Sequence, residues 1–178
     1  LNQAQNLSDY VLEHFSDPEE SLLFFTDQNA ESLLVRKKEV FDNVIPASNS
    51  IMAQNLFELS HILDREDYRE KALSMLASLS EHLSKDTRFL SNWATLYLQF
   101  AQPVAEVCVV GKEAVERAKS LRQKHYFPAK VMLGTTSTSE LSLLKGKTEL
   151  EGKTVFYVCR NKTCRLPVTD IEAAIREL

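Results

Sequence analysis

Two cysteines near the end of the chain are the residues best suited to covalent chemistry. Cys159 and Cys164 enclose four residues and follow directly on the apolar run at residues 154–158. A spacer of this length can close into a turn that brings the two sulfurs together. Three basic residues lie within or beside the pair: Arg160, Lys162 and Arg165. Because cationic neighbours favour thiolates, the pattern permits a reversible disulfide and a redox role.

Other interpretations of this cysteine pair stay open. Cys159 and Cys164 could instead pack their loop against the helix predicted at the end of the chain. Their spacing differs from the Cys-x-x-Cys of thioredoxin-like sites. A zinc site would need two further ligands, and no histidine has paired spacing with these cysteines or with another histidine. The sequence therefore predicts no metal site, and the third cysteine, Cys108, is expected to be a buried small hydrophobe.

A second group of polar residues lies in the first half of the chain, around Pro46. Its members are predicted to line a ligand rim: Arg36, Lys38, Glu39, Asp42 and Asn49. Pro46 restricts Ile45 to extended backbone, which keeps the segment out of a helix until Ala47. Irregular polar backbone beside the start of a helix is typical of ligand rims.

The carboxylates of this rim allow more than one interpretation. Glu39 and Asp42 could act as acid and base, as glycoside hydrolysis requires. A structural network of salt bridges is the favoured alternative, in which Asn49 or Ser48 would cap the following helix. The sequence assigns no catalytic residue, and it leaves enzymatic activity open.

Hydrophobic periodicity predicts the elements that position these groups. Residues 1–102 are expected to form helical hairpins with a short extended arm at residues 22–35. The predicted helices cover residues 2–15, 47–63, 65–83 and 88–101. Asp64 is predicted to cap the third of these helices. The aromatic residues of the fourth are predicted to be core residues: Phe89, Trp93 and Tyr97.

Residues 103–178 have a different pattern, which predicts a small three-stranded α/β unit. Apolar runs at residues 107–110, 131–134 and 154–158 predict strands, the first two parallel and joined by a helix. A short helix is expected near residues 140–145, and a capping box at residues 169–172 predicts a final helix. Only four glycines occur, and Gly111 is best explained as a turn glycine, so no cofactor is expected.

Composition and charge limit the possible partners. No apolar run approaches the roughly 20 residues of a membrane span, so the 178-residue chain is predicted to be soluble, with no membrane partner. Residues 1–102 hold 8 Lys and Arg against 16 Asp and Glu, and residues 103–178 hold 13 against 9. This asymmetry suggests two units with different surfaces. The basic half lacks dense Lys and Arg clusters, so no nucleic-acid partner is expected.

The cysteine count and the first residue concern the location and extent of the protein. Three cysteines, an odd number, argue against a secreted disulfide framework and favour a reducing cytoplasm. The sequence begins with Leu1 and has no secretory signal pattern, so the chain is expected to be part of something longer.

Two motifs together resemble the spermatogenesis-associated protein 20 family. They are VRKKEVFDNVIPASNS at residues 35–50 and VFYVCRNKTCRLPVTD at residues 155–170. The residues that match the family pattern are Arg36, Lys38, Glu39, Asp42, Pro46, Asn49, Ser50, Cys159, Arg160, Asn161, Cys164, Pro167, Thr169 and Asp170. The chain departs from it at Asn43 and Ser48, where the family usually has glycine, a residue that tolerates positive φ.

The resemblance implies a longer parent protein of unestablished biochemical role. Its thioredoxin-like domain comes first, and a helical toroid of the six-hairpin glycosidase and sugar-epimerase type follows. This chain would supply the last toroid hairpins and the α/β unit, with the rest of the parent as its partner. The first functional hypothesis is a wall of the toroid that recognises a sugar-like ligand and is not active alone. The alternative is a thiol redox or interaction module in which Cys159 and Cys164 react with the thioredoxin-like domain.

Overall fold

The computed structural model describes residues 1–30, 35–85, 87–127 and 130–178. It is a mixed α/β protein with seven helices and four strands among these residues. The helices are α1 Asn2–Phe15, α2 Ser48–Leu63, α3 Glu66–Ala77, α4 Ser80–Lys85, α5 Ser91–Ala101, α6 Ala114–Lys124 and α7 Ile171–Glu177. The strands are β1 Ala105–Val110, β2 Lys130–Thr135, β3 Val155–Arg160 and β4 Thr163–Cys164.

The chain divides into two compact units. The helical unit comprises Leu1–Ser60 and Arg65–Leu98, and the α/β unit comprises His61–Asp64 and Gln99–Leu178. None of the helices in the described residues combines the length and the apolar character that a membrane crossing requires.

In the helical unit, α2, α3 and α5 each bury apolar residues on one side, as the 3.6-residue period predicts, whereas Ser8 is the buried residue of α1 and Leu7 is 66% exposed. Its largest fully buried side chains are Trp93, Tyr68, Leu56, Met75, Leu90 and Leu96. Tyr68 is buried but satisfied, because its hydroxyl donates a hydrogen bond of 2.6 Å to Asp9 of α1. Burial, followed by this bond to a carboxylate, raises the pKa of Tyr68 to about 12. The phenol therefore stays neutral and anchors α1 to the core.

Two aromatic residues of this unit are not core residues. Phe89 and Tyr97 are both more than half exposed, so the prediction that they are core residues was wrong. Trp93 is fully buried, as predicted. Phe89 precedes α5, which begins only at Ser91, so the helical period does not apply to it. The buried residues of α5 are Trp93 and Leu96, a stripe too narrow to include Tyr97.

The helix predicted over residues 65–83 is broken into α3 and α4. The break falls at Ser78, whose hydroxyl donates to the carbonyl oxygen of Met75 at 2.7 Å. Serine side chains compete in this way with the helical backbone. The next amide, that of Leu79, bonds to Leu76 in a tighter i to i−3 turn. The helical hydrogen bonds of α3 thus end at Ser78, although the apolar pattern continues.

The sequence predicts that Asp64 caps α3. In the structure, Asp64 instead ends α2. Its φ of 58° is left-handed, and the following amide, that of Arg65, bonds to the carbonyl oxygen of Ser60. This is a Schellman-type helix end, in which Asp64 takes the position usually held by glycine. The N-cap residue of α3 is Arg65, and its side chain makes no capping hydrogen bond.

The extended arm predicted at residues 22–35 contains no strand in its described part. Residues 22–30 are irregular, and the amide of Phe25 donates to the carbonyl oxygen of Lys37 at 2.7 Å. The second half of the predicted arm, Leu33 and Leu34, lies outside the described residues. Side chains of α2 and the segment before it hold the first half in place, as shown below.

The α/β unit is built on a mixed sheet with strand order β2-β1-β3-β4. β1 and β2 are parallel and connected through α6, as predicted, and β3 is antiparallel to β1. Every residue of β1 is buried, which is typical of a central strand with a continuous apolar sequence. The core beneath the sheet comprises Val107, Val109, Leu121, Phe156 and Ala174.

This sheet differs from the predicted one in its fourth strand. β4 has two residues and pairs with β3 across a tight turn, so the apolar pattern gives no signal for it. The short helix expected near residues 140–145 is a turn instead, in which the amides of Leu144 and Lys145 both bond to the carbonyl oxygen of Leu141. One turn of helix is too short to be stable without further support.

The glycine after β1 has a packing role. Gly111 has a φ of 132°, and a Cβ there would lie 2.6 Å from the Cα of Thr154. The segment around Thr154 therefore approaches too closely for any side chain at residue 111. This supports the interpretation of Gly111 as a turn glycine.

Candidate functional site

Asp42 is the most highly connected residue of the predicted rim. One carboxylate oxygen accepts hydrogen bonds from the Ala47 amide (3.0 Å), the Ser50 hydroxyl (2.9 Å) and the Asn92 side-chain amide (3.0 Å). The other accepts from the backbone amide of Asn92 at 2.9 Å. Ser50 and Asn92 lie in the first turns of α2 and α5. A single carboxylate thus stabilises the N-terminal ends of two helices, where negative charge is favoured.

The environment keeps Asp42 ionised. The residue is only 6% exposed, and burial by itself would raise its pKa. The hydrogen bonds from Asn92, Ala47 and Ser50 outweigh burial, so the pKa of Asp42 is lowered. Oδ1 accepts from three donors and Oδ2 from one, so every donor that reaches the carboxylate is a group of the protein itself. The geometry of Asp42 therefore matches a structural charge.

Asn49 has a similar structural environment. Its side-chain oxygen accepts from the amide of Leu23 at 2.7 Å, and its side-chain nitrogen donates to the carbonyl oxygens of Leu23 and Glu39, both at 2.9 Å. The residue is 1% exposed. The side-chain amide of Asn49 bonds to both backbone groups of Leu23, as a residue of a neighbouring β-strand would. It holds the irregular segments around residues 23 and 39 against the start of α2.

Arg36 and Glu39 lie nearer the surface. The Arg36 guanidinium donates to the carbonyl oxygen of Thr26 at 2.5 Å and lies 4.0 Å from the ring centroid of Phe24. The Glu39 carboxylate accepts from the amide of Ser48, the first residue of α2, at 3.1 Å. Both side chains thus connect the segment to its surroundings.

Lys38 completes the predicted set and forms two ion pairs. Its ammonium lies 2.5 Å from carboxylate oxygens of both Asp17 and Glu20. Desolvation opposes the charged form, but the hydrogen bonds to Asp17 and Glu20 prevail and raise the pKa of Lys38. All five predicted rim residues therefore interact with other protein groups, and their assignment as ligand contacts stays a prediction.

A cavity that the sequence did not indicate lies beside Asn49. It has a volume of about 230 Å³ and is lined mainly by apolar residues, with Ser48, Asn49 and Asn55 as its polar residues. Its aromatic residues are Phe15, Phe24 and Phe25. Phe24 and Phe25 are the available signal in the sequence, but they lie in the segment that is predicted as a short extended arm.

The second predicted site is a β-hairpin closed by a disulfide. Cys159 of β3 and Cys164 of β4 are directly opposed across the antiparallel pair and are covalently joined. The hairpin turn has two residues, Asn161 and Lys162, with φ values of 51° and 62°. Positive φ at both positions is the type I′ geometry that suits a two-residue hairpin. The four-residue spacer therefore does bring the sulfurs together, as its length permits.

The two cysteines of the hairpin differ in exposure. Cys159 is 1% exposed, because β3 lies between β1 and β4 and packs on the core. Cys164 is exposed, since β4 is the last strand of the sheet and has only two residues. The disulfide thus joins the interior of the α/β unit to its surface.

The basic residues around the disulfide have partners of their own. Arg160 donates to the backbone carbonyl of Glu177 at 2.9 Å, and Arg165 pairs with the Glu177 carboxylate. The ammonium of Lys162 lies 2.5 Å from a carboxylate oxygen of Asp64. The two arginine contacts connect the hairpin to the end of α7, and both ion pairs compensate part of its positive charge.

The remaining cysteine is unsuited to thiol chemistry. Cys108 is buried in β1, as predicted, and its thiol donates to the carbonyl oxygen of Leu143 at 3.0 Å. Burial raises the pKa of Cys108 to about 12. Within the described part of the chain, no three His, Cys, Asp or Glu residues are grouped so that they could hold a metal ion.

Comparison with known proteins supports the resemblance carried by the two motifs. A human protein is 27% identical over 147 residues, which is 78% of this chain and 19% of the human one. A mouse protein is 25% identical over 180 residues, which is 96% of this chain and 23% of the mouse one. Both are named spermatogenesis-associated protein 20. The chain resembles spermatogenesis-associated protein 20 over most of its length.

Further comparisons agree with this resemblance. An uncharacterized protein of Caenorhabditis elegans is 27% identical over 84% of the chain. No protein-family model matches. The chain spans about a fifth of the length of the spermatogenesis-associated protein 20 sequences that it matches.

The two departures from the family pattern do not strain the backbone. Asn43 and Ser48 lie where the resemblance implies glycine. Neither has a positive φ, and Ser48 is the first residue of α2. Ordinary residues are therefore tolerated at both positions.

Proposed function

We propose that the α/β unit is a thiol–disulfide exchange module within a longer protein. The observation that carries this proposal is the disulfide between Cys159 and Cys164, placed at an exposed hairpin with Cys164 at the surface. A disulfide that closes so small a loop contributes little to folding compared with one that closes a long loop. An accessible disulfide is also the kind that takes part in exchange.

The proposed reaction is a two-electron exchange with a protein dithiol. The bond between the sulfurs of Cys159 and Cys164 breaks, and a disulfide forms in the dithiol partner. The two protons of the partner thiols end on the two cysteines. The hairpin is reduced and the partner is oxidised, so atoms and electrons balance.

The location and partner of this module are part of the same proposal. In a reducing cytoplasm, which the odd number of cysteines favours, disulfides are usually transient and serve catalysis or redox sensing. The thioredoxin-like domain that the family resemblance implies would be the natural dithiol partner, in the N-terminal remainder of the parent chain.

Reduction by a thioredoxin tests this function. The oxidised chain is incubated with catalytic thioredoxin and its reductase system, then alkylated without denaturant and weighed by mass spectrometry. We expect one alkyl group per chain, on the exposed Cys164, whereas the buried Cys159 and Cys108 are labelled only after denaturant is added. The double variant Cys159→Ser/Cys164→Ser is the control and should gain none. A disulfide that stays intact under these conditions, while another accessible disulfide is reduced, would contradict the proposal.

A second candidate function concerns the helical unit. We propose that it forms the last hairpins of an α/α toroid and contributes a wall that recognises a sugar-like ligand. The supporting observation is the cavity of about 230 Å³ beside Asn49, whose lining includes three aromatic and three polar residues. Such a combination of apolar walls and a few polar groups is typical of small-molecule sites.

Binding measurements on the full-length protein test the second candidate. Isothermal titration with a panel of mono- and disaccharides should detect binding of at least one sugar. Asn55→Ala, which changes a polar residue of the cavity, should weaken that binding, whereas Asn43→Ala at an exposed position outside it should not. Absence of heat from every sugar with an intact fold would count against a sugar site.

A further inference from the structure

The burial of the two hairpin cysteines is too unequal for their sulfurs to be equivalent in exchange. Cys159 is 1% exposed and lies on β3, where it is paired with Glu106 of β1 on one side and with Cys164 on the other. Cys164 lies on a two-residue edge strand and is exposed. Only one end of the disulfide is therefore open to solvent.

Thiol–disulfide exchange has a strict direction of approach. The incoming thiolate attacks one sulfur along the axis of the S–S bond, from the side opposite the departing sulfur. Attack on Cys159 would require an approach through the packed strand β3, whereas Cys164 can be approached from solvent. We propose that Cys164 is the attacked sulfur and that Cys159 is the leaving and resolving thiol. This inference rests on the proposed exchange function.

The two steps follow from this assignment. A thiolate of the partner dithiol forms a bond to the Cys164 sulfur, the Cys159–Cys164 bond breaks, and Cys159 departs as a thiolate that takes up a proton. The second thiolate of the partner then attacks its own sulfur in the mixed disulfide. This step releases Cys164, which takes up the second proton, and leaves the partner oxidised. In the reverse direction, Cys164 forms the mixed disulfide and Cys159 resolves it.

The burial of Cys159 also affects the rate. An apolar environment disfavours a thiolate, and a leaving thiol with a higher pKa leaves more slowly. Exchange at this hairpin is therefore expected to be slower than at an exposed disulfide, so a protein dithiol that remains bound is a better reductant than a small monothiol.

A trapping experiment identifies the attacked sulfur in the unaltered chain. A thioredoxin whose resolving cysteine is replaced by serine is mixed with the oxidised chain, and the reaction is quenched with N-ethylmaleimide in denaturant. Trypsin then separates the two cysteines, because it cuts after Arg160, Lys162 and Arg165. We expect the mixed disulfide on the Cys164 peptide in at least about tenfold excess over the Cys159 peptide.

Each other outcome of the trapping experiment has a definite meaning. A mixed disulfide found mainly on the Cys159 peptide, or on both peptides in comparable amounts, overturns this inference but leaves the exchange function standing. A mixed disulfide on neither peptide, with a reactive disulfide control trapped in parallel, overturns the exchange function and the inference together.

Single variants give a second, matched measurement. Cys159→Ala leaves Cys164 as the surface thiol, and Cys164→Ala leaves the buried Cys159, with Cys108 present in both. With oxidised glutathione, the thiol of Cys159→Ala should react at least about tenfold faster than that of Cys164→Ala. Equal rates in two folded variants would contradict the assigned roles.

Discussion

The polar segment around Asp42 and the hairpin around Cys159 resemble each other in sequence but differ in how they are used. Both are short polar stretches rich in charged residues, and each lies beside a regular element. In the first, Asp42 and Asn49 are buried, and their hydrogen bonds go to the surrounding protein. In the second, Cys164 is exposed, and the bond it makes joins two cysteines only five positions apart.

The difference teaches how to separate structural polar residues from reactive ones. A buried polar group must be satisfied, and removing it leaves its partners unsatisfied at a large cost. A small surface disulfide constrains few residues, so its loss costs less. The stability lost on substitution should therefore fall steadily from Asp42 to the hairpin, whereas the reactivity is confined to the hairpin.

The largest expected effect is that of Asp42→Ala. The change removes a buried charge and leaves three N–H donors of Ala47 and Asn92 without their acceptor, whereas the Ser50 hydroxyl can still donate to the carbonyl oxygen of Ala47. We expect the free energy of unfolding to fall by about 3–5 kcal/mol in urea denaturation. Glu81→Ala, which removes an exposed carboxylate paired with Lys85, is the control and should cost less than about 0.5 kcal/mol. Equal costs would show that Asp42 is not a structural charge.

The pH dependence of stability sharpens this prediction. Because the pKa of Asp42 is lowered in the folded chain, its contribution is fully present above the unfolded pKa of about 4. It is lost as the pH falls through the lower folded pKa. The difference in unfolding free energy between the wild type and Asp42→Asn should therefore shrink below about pH 4. A difference independent of pH would contradict the assigned charge.

Asn49→Ala should have the next largest effect. It leaves both backbone groups of Leu23 without their partner in a buried place, and it removes one of two donors to the carbonyl oxygen of Glu39, which keeps the backbone amide of residue 49. The expected cost is about 2–3 kcal/mol, measured by urea denaturation. Asn43→Ala on the same segment changes an exposed side chain and should cost less than about 0.5 kcal/mol. A small cost for Asn49→Ala would leave the residue available for the predicted ligand role.

The sequence could predict elements better than the contacts between them. Helical spacing located α1 and α2 closely, and a continuous apolar run located β1, because these signals are local. The bond between Asp42 and Asn92 joins residues 50 positions apart, and no local pattern records it. The acidic side chain was therefore assigned to a ligand rim, since its partner in α5 was not identifiable.

The cysteine hairpin was more accessible to sequence reasoning for the same reason. Both cysteines lie within six residues, so the chain itself enforces their proximity. The break at Ser78 is not predicted because the apolar pattern continues through it, and the tighter turn from Leu79 to Leu76 is visible only in the backbone hydrogen bonds. The proximity of two cysteines that are close in sequence can be predicted. The residue at which a helix ends depends on hydrogen bonds that only the three-dimensional structure shows.

Loss of the disulfide should cost less than either buried polar change. The bond closes a loop of about six residues, for which the chain-entropy relation gives about 2 kcal/mol. We expect reduction of the wild type, and the variant Cys159→Ser/Cys164→Ser, to lower the free energy of unfolding by this amount. A cost as large as that of Asp42→Ala would make the disulfide a structural bond and weaken the comparison of the two regions.

The smallest of these effects is expected at the cap of α7, and it separates two adjacent candidates. The Asp170 carboxylate accepts a hydrogen bond of 2.9 Å from the amide of Ala173, whereas the capping box was predicted to begin at Thr169. Asp170→Ala should therefore cost about 1 kcal/mol, and Thr169→Ala less than about 0.5 kcal/mol. Because Glu177 at the end of α7 pairs with Arg165, faster amide exchange in α7 of Asp170→Ala should extend to the hairpin. Faster exchange in Thr169→Ala instead would place the cap one residue earlier, as the sequence alone predicted.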